Sequence, residues 1–203
     1  MTLRRQIGIW RNIYIELATW NGAEASVDLS CACMFEREIG DGVLAGGMQH
    51  LDAALGGALT GLRRSEAFRG DHLETLLLDH LPSTVSPRAL LVIGLGNPDT
   101  WTPRVSAMAA SAAVRTAMQL RATSGAFAPS LLDAGFDGAA VSGAAQAMMQ
   151  AVLDAIGAYA KVVESGLASA HRLRRWVFGV GTPHYERTAE QFHRVLSASA
   201  QMD

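Results

Sequence analysis

The sequence predicts an α/β fold, a three-layer α/β/α sandwich around a mixed, largely parallel sheet. Three observations carry that expectation. Short strand-like runs alternate with longer stretches whose apolar residues recur at helical spacing, the pattern of strand–helix crossovers. Two of the strand-like runs end alike, Val92-Ile93-Gly94-Leu95-Gly96-Asn97-Pro98 and Val177-Phe178-Gly179-Val180-Gly181-Thr182-Pro183, each a strand, then G-x-G, then a proline near a helix start. The composition, 49% hydrophobic and 18% charged over 203 residues, suits one domain with a sizeable core, and residues 1–203 are read as a single unit.

Residues 7–20 open the chain with β-branched and aromatic side chains. Ile13, Ile15 and Leu17 alternate with Tyr14 and Glu16, so the run reads as a half-buried strand. Asn21-Gly22 is a turn signal. Residues 27–35 alternate at first, through Asp28 and Ser30, and then turn apolar on both faces, as a central strand does. A glycine-rich loop, 40–47, enters a helix with the stripe Leu44, Met48, Leu51, Leu55, Leu59 and Leu62. That helix ends near Arg63 and Arg64, where cations suit the helix dipole. Residues 74–80 form a short strand, Pro82 and Pro87 bracket a loop, and residues 89–95 form a buried strand. Thr102 is placed as an N-cap, with Pro103 at the first position of a helix reaching about Arg121.

Residues 126–132 read as a short strand that Pro129 demotes to an edge or an irregular segment. Val141, Ala145, Met148, Val152, Ile156, Tyr159 and Val163 make a long helical stripe, its methionines core filler rather than a cofactor box. Residues 174–180 are the last strand, and Thr182-Pro183 repeats the capping signal. Tyr185, Thr188, Ala189, Phe192, Val195 and Leu196 form the inner face of a closing helix.

Open α/β sheets bind ligands outside the carboxyl ends of their strands, where glycine lets backbone N–H groups and helix N-termini face an anion. Three glycine-rich turns are therefore candidates for one crevice suited to a phosphate or pyrophosphate. They contribute Gly46 and Gly47 at the first helix, Gly94, Gly96 and Asn97 after one strand, and Gly179 and Gly181 after another. The alternative is that these glycines only allow helix and sheet to pack closely. Neither G-x-G reaches the third glycine of a dinucleotide fingerprint, because Asp99 and His184 stand there.

Other chemistry-bearing residues point away from catalysis. His50, His72, His80, His171, His184 and His193 have no metal-ligand spacing, and no G-x-S-x-G elbow is present. His184, at a helix start, is read as a surface or capping residue, with a position facing the crevice as the alternative. Cys31 and Cys33 read as buried thiols rather than a zinc or disulfide framework. His171-Arg172-Leu173-Arg174-Arg175 reads as a solvated basic patch. The net charge of −2 argues against a general nucleic-acid binder. No run approaches the ~18 uninterrupted apolar residues of a membrane span. Arg11, Asn12 and Glu16 interrupt any signal-peptide core, so the expectation is a soluble, cytoplasmic protein without metal or cofactor.

Leu51-Asp52-Ala53-Ala54-Leu55-Gly56-Gly57-Ala58-Leu59, then Phe68-Arg69-Gly70, Glu74-Thr75-Leu76-Leu77-Leu78 and Leu91-Val92-Ile93-Gly94-Leu95-Gly96, resembles in order and spacing the N-terminal domain of the leucyl (cytosol) aminopeptidases. The resemblance covers most of the chain and is clearest over residues 35–120. It implies a macro-domain-like α/β/α fold and a role in assembly. The peptidase chemistry of that family resides in a separate C-terminal domain with two metal ions. Its Asn-Thr-Asp-Ala-Glu-Gly-Arg and Lys-Gly-x-Thr-Phe-Asp-Ser-Gly-Gly motifs do not occur in this sequence, so no catalytic residue is carried over. The resulting expectation is a stand-alone, non-catalytic macro-like domain that associates with itself or with another protein. The alternatives are a binding module for a nucleotide or ADP-ribose-like ligand and, by resemblance to macro domains, an ADP-ribosyl hydrolase.

Overall fold

A computed structural model describes residues 2–37, 44–129, 131 and 143–201. The chain opens with β1 (Arg4–Trp10) and β2 (Ile13–Ala18), an antiparallel hairpin. Arg11 and Asn12 between them have φ of 44° and 65°, the two positive angles of a tight hairpin turn. Residues 7–20 are thus two strands and not one, and Asn12 is the residue that permits the turn. The Asn21 turn is present: its Oδ1 accepts from the backbone N–H of Ala23 and Glu24 at 2.9 and 3.1 Å. β3 (Leu29–Met34) follows, buried along its whole length.

The first helical stripe is divided into α1 (Gly46–Ala54) and α2 (Ala58–Arg64). Gly56 and Gly57, at φ of 66° and 81°, turn the chain between them. The earlier part of the glycine-rich loop, 40–43, lies outside the described residues. Next come β4 (Thr75–Leu78), β5 (Ala89–Gly94), α3 (Pro103–Gln119) and β6 (Ser124–Ala128). Thr102 has the extended backbone of an N-cap, but its side chain makes no capping bond. The chain closes with α4 (Ala144–Glu164), β7 (Arg175–Gly179) and α5 (Tyr185–Ala200). Thr182 does not cap α5. Residues Thr182–His184 form a 3-10 turn, and His184 occupies the α5 N-cap.

Among the described residues the sheet has seven strands in the order β1-β2-β7-β6-β3-β5-β4. Neighbours from β2 through β5 are parallel, while β1 and β4 add an antiparallel edge at either side. β6 is therefore central and not an edge. It ends at Ala128, so Pro129 lies just beyond the ladder and costs it no hydrogen bond. Leu132 and Val141 lie outside the described residues.

From β3 the chain reaches β5 on one side, then returns through α3 to β6 and through α4 to β7 on the other. Right-handed crossovers in opposite directions place their helices on opposite faces. Alternate residues of each strand sort accordingly. Leu17, Cys31, Ile93, Phe127 and Phe178 pack with α3, α4 and α5, whereas Ala32, Met34, Leu90 and Val92 pack with Met48, Leu51 and Leu59 of α1 and α2. Phe178 meets Phe192 of α5 edge-on, with centroids 4.6 Å apart. Cys31 and Cys33 are free and buried in the first of these cores, and burial pushes both thiols well above their ordinary range. They are packing groups, not reactive ones.

Candidate functional site

The parallel strands share one direction, so their carboxyl ends gather at one end of the sheet. A cavity of about 530 Å³ opens there, beside the point at which the strand order reverses. Its strand contributions come from the ends of β2, β7 and β6: Leu17 and Thr19, Phe178 and Gly179, and Ala128 followed by Pro129. Trp20, Asn21 and Glu24 of the β2–β3 connection close one side.

Three helices begin at its rim. Gly46 and Gly47 bring α1, Gly143, Ala144 and Ala145 bring α4, and His184, Arg187 and Thr188 bring α5. The N-caps of these helices, Ala45, Gly143 and His184, make no side-chain capping bond. A helix start carries the positive end of the helix dipole. Three such starts around one cavity make a field that favours an anion.

Arg187 adds a full positive charge. Its neighbour Glu186 is bound bidentately by Arg5 of β1 at 2.8 and 3.0 Å, which leaves that carboxylate paired. Among the described residues Arg187 has no carboxylate within ion-pair distance. Arg5 also lies over the Tyr185 ring, 5.5 Å from its centroid, and so ties the first turn of α5 to the sheet edge. Burial pushes the Tyr185 phenol above its ordinary value. The remaining lining is amphipathic. Trp20, Phe178, Val180 and Met148 supply apolar surface, Asn21, His50 and Gln191 supply polar groups, and Glu24 places one carboxylate on the β2–β3 side. A pocket of this size with a few converging polar groups suits a small organic anion. Among the described residues no three His, Cys, Asp or Glu side chains gather closely enough to hold a metal ion.

Of the glycines singled out in the sequence, Gly46, Gly47, Gly179 and Gly181 line this cavity together. Gly94, Gly96 and Asn97 are not among its lining residues. A β-carbon on Gly94 would collide with the backbone of Gly70 and Asp71, and Gly96, at φ 73°, sits against His72. Asn97 accepts from the Asp99 N–H at 2.9 Å and starts a 3-10 turn, Pro98–Thr100. The Gly94–Gly96 turn thus packs against the chain's own backbone, outside this cavity. The sequence reading also missed Arg187 and Gly143. A glycine at the head of the long apolar stripe was the available signal for Gly143. Arg187 stands on the polar face of an amphipathic helix, where no pattern sets it apart.

Comparison with solved structures agrees with this architecture. A mutant of tomato leucine aminopeptidase superposes with a TM-score of 0.63 at 21% identity, covering 88% of this chain and 35% of that one. The chain thus spans about a third of that enzyme's length. An Oceanobacillus iheyensis macrodomain mutant solved with ADPR superposes with a TM-score of 0.59 at 14% identity, covering 99% of this chain and 100% of the other. A Trypanosoma brucei macrodomain in complex with ADP gives 0.56 at 17% identity, covering 90% and 68%. At these identities the likeness concerns the fold. No curated protein matches the sequence significantly. Residues 38–166 match the model of the N-terminal domain of the cytosol aminopeptidase family, and with well over half of its length so matched the chain belongs to that domain family.

Proposed function

We propose that this macro-like domain binds a small anionic ligand of the nucleoside-diphosphate class, such as ADP or ADP-ribose, in the cavity at the strand ends. The observation that carries the reading is the meeting of three helix starts and Arg187 around one cavity of about 530 Å³. A diphosphate is the group that such a field favours, and backbone N–H donors bind it without a dedicated side chain. The apolar side chains beside it offer a surface for a base or a sugar face. Two macrodomains of similar fold were solved with ADPR and with ADP, which supports the choice of compounds.

A second reading is association, in which the domain serves assembly and not ligand binding. It starts from the family alone, since the tomato enzyme carries a domain of this fold within a longer chain. One titration separates the two. Thermal unfolding is followed with ADP-ribose, ADP, NAD and inorganic phosphate in turn. Binding at about 100 times the dissociation constant adds roughly 2.7 kcal/mol, a rise of roughly 5–10 °C for a chain of this size. A dose-dependent rise with one nucleotide is the expected result. No rise at millimolar ligand contradicts the binding reading and leaves association.

A further inference from the structure

The opposite end of the sheet, where the parallel strands begin, carries a feature that the cavity does not use. Arg11 lies in the β1–β2 turn, Arg121 follows α3, Lys161 is in the last turn of α4, and Arg172, Arg174 and Arg175 lead into β7. Backbone hydrogen bonds draw these segments together. The Tyr14 N–H donates to the Arg174 carbonyl at 2.8 Å, and the Arg174 N–H donates to the Thr123 carbonyl at 2.8 Å. All six side chains are exposed except Arg175, which is half-buried and donates to the Ser26 carbonyl at 2.8 Å.

Among the described residues, carboxylates do not balance the charge of Arg121, Lys161, Arg172 and Arg174. Asp28 accepts from Thr123 and Ser124 and has Arg88 at 3.6 Å, and hydrogen bonding from Thr123 lowers its pKa further than burial raises it. Glu164 is the other acid at the end of α4. Among the described residues, none of Arg121, Lys161, Arg172 and Arg174 has a carboxylate within ion-pair distance. The C-terminal ends of α3 and α4 also finish here, but two ends of roughly half a charge each offset only about one cation. A chain whose net charge is −2 therefore concentrates positive charge at one end. Burial, and after it the charge of Arg174, hold His171 below the ordinary histidine value.

Apolar side chains accompany the cations. Leu167 is 83% exposed, Leu120 49% and Val162 41%, all at the C-terminal ends of α3 and α4. Aliphatic side chains set beside Arg121, Lys161, Arg172 and Arg174 complement an acidic segment that carries a few leucines. Nucleic acid fits less well. Leucine and valine offer no ring on which a base can stack. Tyr14 is exposed at this end but points to the other face of the sheet, since it alternates with Ile13 and Ile15 of the α3–α5 core, and the rings of Trp10, Tyr159 and His171 are half-buried.

We propose that this end of the molecule is a docking surface for an acidic, leucine-bearing segment of a partner protein. The test is fluorescence anisotropy in about 50 mM NaCl, where such contacts are least screened. Three labelled probes are compared: a glutamate-rich peptide with leucine at every third or fourth position, the same peptide with serine for leucine, and a single-stranded RNA of equal length. The leucine peptide is expected to bind most tightly of the three. The double variant Arg172→Glu/Arg174→Glu should weaken it by at least about tenfold, and Leu167→Ser by several-fold. Both variants alter exposed side chains, and an unchanged melting temperature in each shows that the fold is intact. Absence of binding, or affinity unaltered by both variants, overturns the proposal. Equal or tighter binding of the RNA or the serine peptide overturns it as well.

Discussion

Gly94 shows how closely the chain's own backbone can lie against a G-x-G turn. Its N–H donates to the Glu74 carbonyl at 2.8 Å, and its carbonyl accepts from Leu73 at 2.9 Å. The loop that crosses it is drawn in by one carboxylate oxygen: Glu74 Oε2 accepts from the N–H groups of Arg69, Gly70 and Asp71 at 2.9, 2.8 and 3.0 Å. That cluster of N–H donors is an anion nest already filled from within the chain. Gly94→Ala drives a methyl group into the Gly70–Asp71 backbone, which cannot yield as a flexible side chain would. The expected cost is about 2–3 kcal/mol, read by chemical denaturation, with affinity for a ligand in the cavity unchanged. A variant of normal stability that has lost ligand affinity would contradict this assignment. Composition shows that a G-x-G turn needs glycine, but not whether an anion or the chain's own backbone lies against it.

At the scale of elements, the division of α1 from α2 rests on Asp52. Its carboxylate accepts from the N–H groups of Leu59 and Thr60 at 2.8 and 3.2 Å, and from the Thr60 hydroxyl. A residue of one helix thereby caps the first turn of the next, and Gly57 in the left-handed region sets the angle between them. Removing a capping carboxylate typically costs about 1–2 kcal/mol, so Asp52→Ala should lose that much by denaturation, and Asp52→Asn less. Equal losses in the two variants would show that the acceptor oxygen is not what matters.

The same region shows what the sequence made legible. The stripe from Leu44 to Leu62 gave the buried face, while Gly56-Gly57 held the break within it. The β1–β2 hairpin escaped notice because Arg11 is an uncommon residue for a positive φ. The central position of β6 is not legible in the sequence, because Pro129 stands where the apolar run continues and only the ladder shows that the strand ends at Ala128.

For the whole molecule, the strand order decides which turns meet. β7 lies between β2 and β6, so the turn after Gly179 opens beside the helix starts of α4 and α5. β5 lies beyond β3, next to the edge strand β4, so the turn after Gly94 faces a different neighbourhood. Elements and alternating core faces were readable from periodicity, because burial repeats along each segment. Strand order depends on pairings far apart in sequence, and no local pattern records it. The two ends of the sheet consequently differ in character, one with helix starts around a cavity and the other with helix ends among arginines. Among the described residues no helix is long and apolar enough to cross a membrane.

The central claim, that the ligand site is the cavity between the ends of β2, β7 and β6, is tested most directly by amide chemical shifts. A 21.5 kDa chain is within reach of a two-dimensional 15N–1H spectrum with residue assignments. Titration with ADP-ribose should move the amides of Gly46, Gly47, Gly143, Ala144, Gly179, Gly181 and Arg187, and leave those of Gly94, Gly96 and Asn97 in place. A spectrum unchanged at millimolar ADP-ribose and ADP, or shifts centred on Gly94–Asn97, would contradict the account.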